Sequence, residues 1–174
     1  MMSDWQKIVT KTLFYLVSLL LFYSIQSALG RWLEIYGAKP DFLPFFVATT
    51  AMLEGYKGGA LIGLAAGVLC DLSSPVFEGF FAFVYTFIGL GCGLLFGPLI
   101  RKIPLNAFFL GAISAVLLVA LPYVVFFMPI KRVGLMIFAR TAVPQIIYTC
   151  LLFPLPYFTV RWIKKRLVRI GADE

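Results

Sequence analysis

The sequence contains no histidine, and only 13% of its 174 residues are charged. The first absence removes the side chain that most often acts as general base or metal ligand near neutral pH. The second excludes an ordinary soluble domain, in which about a quarter of the residues carry charge. Acids are scarcer than bases, with 8 Asp and Glu against 15 Lys and Arg and a formal net charge of +7. Cysteine is limited to Cys70, Cys92 and Cys150. Each sits in an apolar run, too far from the others for metal-ligand spacing, and reads as a small buried hydrophobe. No nucleophile stands beside a base and no acids pair within the apolar runs, so the residues point to no catalytic site, cofactor or metal, and the chain reads as a non-enzyme.

What the sequence has in abundance is apolar surface, at 61% of residues. A soluble fold of this size has no interior large enough for it, so the bilayer is the natural solvent. Uncharged runs cover 12–30, 42–53, 58–70, 79–100, 103–130 and 141–160. Crossing takes roughly 20 helical residues, so the second and third runs are short. They read either as a pair of short spans turning near Gly55–Gly59 or as one crossing with an overhang. The stretch Leu13–Ile25 is long for a signal sequence and reads as a retained first span. A lipid-exposed backbone must satisfy its own hydrogen bonds, and the runs do not alternate as barrel strands would, so the expected class is all-α.

Charge selects the topology. With six spans and the N-terminus inside, Lys7, Lys11, Lys57, Arg101, Lys102, Arg161, Lys164, Lys165, Arg166 and Arg169 fall inside. Arg31, Lys39, Lys131 and Arg132 fall outside, with Arg140 at a span end. Merging the short runs reverses this bias, so the positive-inside rule selects six spans with both ends cytoplasmic. Trp5 and Trp162 then sit at the inner interface and Trp32 at the outer one. Glu54, Lys57 and Asp71 are expected to reach the headgroups by snorkelling, or the bilayer to thin around them. Pro122 and Pro144 are expected to kink their helices. The organisation is a six-helix transmembrane domain over 1–160 and a basic amphipathic cytoplasmic tail over 161–174.

Glycines recur at helical spacing. Gly55, Gly59, Gly63 and Gly67 lie four apart, with Asp71 as the next rung, and Gly89, Gly93 and Gly97 form a second stripe. Between helices in lipid, association depends on close backbone approach, which such stripes permit. They predict tight packing of the third and fourth helices, against each other or against a neighbour or partner. Asp71 has three readings: acceptor for amides or hydroxyls around Ser73, Ser74 and Pro75, ion-pair partner of Arg140 or Arg31, or contact to a ligand or partner. In the tail, Val160, Ile163, Leu167 and Ile170 share one face while Arg161, Lys164, Lys165 and Arg169 occupy the rest. With Arg166, these cations suit an anionic membrane surface; nucleic acid is not the expected partner.

Residues 39–95 resemble MreD, the bacterial rod shape-determining membrane protein family. Pro40 and Asp41 match the Pro-Asp opening before the second span, Gly63, Leu64, Gly67 and Asp71 match the glycine-bearing segment ending in Asp, and Gly79 matches a later turn glycine. The resemblance implies a six-transmembrane-helix bundle similar to the substrate-binding S components of energy-coupling-factor transporters. It implies a place in the cell-elongation complex of the inner membrane, binding an MreC-like single-pass protein and, through it, RodA, a class B penicillin-binding protein and MreB. Pro40, Asp41, Gly67 and Asp71 carry over as fold-defining residues. The alternative is a membrane subunit that binds a vitamin or metal for transport. That function needs convergent polar groups, for which the spans offer Ser18, Ser24, Gln26, Thr49, Thr50, Asn106, Ser114, Gln145 and Thr149, with Asp41, Asp71 and Glu78 near the outer side.

Overall fold

A computed structural model describes residues 4–29, 39, 41–73, 79–96, 103–125 and 135–172. Within them the chain forms seven helices and no strand: α1 (Asp4–Leu29), α2 (Leu43–Glu54), α3 (Tyr56–Ser73), α4 (Phe80–Phe96), α5 (Pro104–Pro122), α6 (Leu135–Leu151) and α7 (Pro154–Ala172). Two segments, Val9–Ala28 and Pro104–Val125, are long and apolar enough to cross a membrane. A third candidate is the bent pair Ala142–Leu151 and Pro154–Arg166, whose axes differ by 42°. Among the described residues the protein is therefore all-helical, with two or three helices suited to spanning a bilayer. Large apolar side chains remain exposed along α1 (Val9, Leu13, Val17, Leu21), as a lipid-facing helix requires.

The short α2 is the hub. Every residue from Leu43 to Met52 is buried, and the helix touches α1, α3, α4, α5 and α7. A helix that is apolar all round belongs in an interior, and α2 has no polar face to give to solvent. It starts where Pro44 falls in the first turn, a place that needs no amide donor. It stops at Gly55, whose φ of 85° only glycine adopts without strain. The turn between the two short runs is thus this single residue; Gly55 caps α2, and its backbone lies where a Cβ at Gly93 would overlap it. Phe45 of α2 stacks with Phe108 of α5 and Phe153 of the α6–α7 break, at centroid distances of 6.1 and 5.2 Å. Gly111 makes room for that ring, because a Cβ there would overlap it.

The bend between α6 and α7 follows from two missing amides. Pro154 and Pro156 cannot donate to the carbonyls of Cys150 and Leu152. Those carbonyls instead accept tighter three-residue bonds from Phe153 N–H at 3.3 Å and Leu155 N–H at 3.2 Å. The chain turns there, and Tyr157, Val160 and Ile163 become a buried face of α7. Pro122 and Pro144 lie inside α5 and α6, and the 42° bend falls at Pro154 and Pro156. A single helix runs through the boundary anticipated at 160–161. Leu167 and Ile170, placed by the sequence on the same face, have side chains outside the described residues.

Candidate functional site

The glycine stripes bring α3 and α4 together backbone to backbone. A Cβ at Gly59 would overlap the Gly89 carbonyl, one at Gly63 the Tyr85 carbonyl, and one at Gly67 the backbone of Phe81 and Ala82. From the other side, a Cβ at Gly89 would meet Gly59 and one at Gly93 would meet Tyr56. Partners that rise on one helix as they fall on the other define an antiparallel hairpin. Gly91, off this face, has open space around it. Gly97 lies outside the described residues.

Asp71 locks the turn end of the hairpin, where α3 gives way to α4. Its two oxygens accept the Phe81 N–H at 3.0 Å and the Ala82 N–H at 2.9 Å. These are first-turn amides of α4, which have no intrahelical acceptor. An acid from the end of α3 therefore caps the start of α4, where the helix dipole favours negative charge. The sequence reading placed possible donors near Ser73–Pro75; they belong instead to the next helix. Among the described residues no ion pair joins Asp71 to Arg140, whose side chain is exposed. Gly79, with φ 77°, turns the chain into α4.

Asp41 organises the start of α2. The amides of residues 41, 42 and 43 each find a side-chain acceptor: Thr149 Oγ1 at 3.3 Å, Gln26 Oε1 at 2.9 Å and Asp41 Oδ1 at 3.1 Å. Tyr85 donates its hydroxyl to Asp41 Oδ2 at 3.4 Å. One helix start thus gathers side chains from α1, α4 and α6. Pro40, beside it in sequence, lies outside the described residues.

The other end of α2 carries a second polar node. Glu54, with a side chain only 6% exposed, pairs with Lys11 of α1 and lies 3.7 Å from Lys164 of α7. Tyr15, one turn beyond Lys11, donates to Glu54 Oε1 at 2.9 Å, and Lys164 also donates to the Leu53 carbonyl at 2.5 Å. Glu54 faces the negative pole of its own helix, and the two lysines offset that cost. Protein groups thus hold both the Glu54 and the Asp71 carboxylates. Lys164, grouped by the sequence with the membrane-surface cations, contacts Glu54 and the Leu53 carbonyl. Lys57 remains exposed beside Tyr56.

The rest of α7 presents a different face. Phe158, Thr159, Arg161, Trp162 and Lys165 line a groove of about 650 Å³. Arg166 lies over the Trp162 ring at 5.0 Å, and Arg161 donates to the Tyr157 hydroxyl at 3.3 Å. The side chain of Arg169 is outside the described residues.

Sequence reasoning named Gln26 and Thr149 as polar span residues but saw no cluster; the fold places both on the α2 start. It gave no role to Tyr15, Tyr85 or Gly111. A signal existed for one of them, since Lys11 and Tyr15 share a helix face and can address one acceptor. No protein-family model matches the chain, and neither a curated protein nor a solved structure matches it.

Proposed function

We propose that the chain is a non-enzymatic membrane component of the bacterial cell-elongation complex, an MreD-like protein that binds an MreC-like single-pass partner and helps to organise or regulate peptidoglycan synthesis. The observation that carries this reading lies in the stretch resembling MreD. Both of its matched acids serve architecture: Asp41 gathers the start of α2, and Asp71 clamps α4 to α3. The same stretch builds the hub and the glycine hairpin. RodA, a class B penicillin-binding protein and MreB are indirect partners. The chain crosses the inner membrane six times, α1 to α5 once each and α6 with the start of α7 as one bent crossing, with both termini cytoplasmic. At about 18 Å, α2 is short for a crossing. Its burial supports the count nonetheless, because its ends meet protein rather than lipid.

Affinity purification from native membranes tests the reading: a single-pass partner is expected at stoichiometric yield, and depletion is expected to turn rods into spheres. Recovery without such a partner, and unchanged cell shape, would overturn it. The convergence of Asp41, Gln26, Tyr85 and Thr149 favours a second reading, a solute-binding transporter subunit. Against it, these groups already bond one another and the α2 backbone. Co-purification of a tightly held solute, with uptake that depends on this chain, would select it.

A further inference from the structure

We propose that the groove on α7 is a binding site for one anionic phospholipid, with the phosphate held by Arg161 and Lys165 and an acyl chain laid along Phe158 and Trp162. The positions 158, 161, 162 and 165 fall on one helix face, opposite the buried face of Tyr157, Val160 and Ile163. Phe158 and Trp162 are 64% and 56% exposed, a large aromatic surface that water does not favour and a lipid tail does. Arg161 and Lys165 stand a turn apart on that surface, both exposed, with Arg166 stacked on Trp162. The node at Glu54 explains why the cations divide as they do. Lys164 neutralises the Glu54 carboxylate from the bundle side, which leaves the groove lined by cations and aromatics without an acid. A guanidinium offers planar paired donors to phosphate, and an ammonium adds a point charge beside it. The occupant that matches positive charge interleaved with an exposed aromatic surface is an anionic lipid. This proposal rests on the chain being a membrane protein and not on its role in cell elongation.

The test is native mass spectrometry of the full chain in detergent, titrated with phosphatidylglycerol, with phosphatidylcholine of identical acyl chains, and with inorganic phosphate. Wild-type protein is expected to retain one phosphatidylglycerol at least about tenfold more tightly than phosphatidylcholine, and to ignore phosphate at equal concentration. R161Q/K165Q is expected to lose that preference. K165Q alone, which leaves the Arg161–Tyr157 bond intact, is expected to lose part of it, and K57Q to keep it. Phe158→Ala with Trp162→Ala is expected to weaken both lipids. Equal retention of the two lipids by the wild type, an unchanged preference in R161Q/K165Q, or displacement of the lipid by phosphate alone would overturn the proposal.

Discussion

Glu54 shows how a single acid in an apolar sequence becomes tolerable. Its Tyr15 and Lys164 contacts and its pairing with Lys11 replace the water that a 6% exposed carboxylate has lost. Glu54→Ala leaves two lysines close together and a tyrosine without its acceptor. The expected cost is about 3 kcal/mol, with Glu54→Gln costing less because its amide oxygen still accepts from Tyr15; thermal unfolding in detergent measures both. Thr49 is the opposite case. Its hydroxyl is buried in α2 with no hydrogen-bond partner among the described residues, while Thr50 bonds the Phe46 carbonyl at 2.8 Å. Thr49→Val is expected to raise the melting temperature, by about 1 kcal/mol in stability, whereas Thr50→Val is expected to give no such gain.

Helix pairing is decided by a few absent side chains. Gly59, Gly63 and Gly67 let α3 meet α4 at van der Waals distance, and Gly111 lets α5 meet the Phe45 ring. Gly63→Leu is expected to force the hairpin apart and to cost about 3 kcal/mol or more, read as a lower midpoint of thermal unfolding and loss of monodisperse protein. Gly91→Ala, on the open side of the same hairpin, is expected to be neutral or to stabilise by up to about 1 kcal/mol through helix propensity. Asp71→Ala removes the acceptor for two α4 amides and is expected to cost about 1–2 kcal/mol in the same assay.

The whole molecule is a buried short helix with a polar clasp at each end. At the start of α2, Asp41, Gln26, Tyr85 and Thr149 tie together α1, α4 and α6; at its end, Glu54 ties α1 to α7. The six-crossing topology proposed above belongs to this scale and has a direct check. A cysteine introduced at Ala172 is expected to react with an impermeant maleimide only when the cytoplasmic face is opened. Labelling of intact spheroplasts above the level of the parent protein would reverse the topology.

Composition and spacing by themselves determined that the chain is helical and apolar enough for a membrane and that glycines four apart mark one face; they left open whether α2 and α3 are one helix or two, which the break at Gly55 decides. These features are local: they follow from run length, from prolines and glycines, and from the 3.6-residue repeat. Which helix meets that face, and where each lone charge finds its partner, the tertiary structure alone decided. Asp71 could not be matched to the amides of Phe81 and Ala82, nor Glu54 to Lys164, from positions along the chain. Those partners lie 10, 11 and 110 residues away, and only the packing of helices around α2 brings them within reach. A charge in an apolar run announces that it needs a partner, but its distance along the chain carries no record of which one.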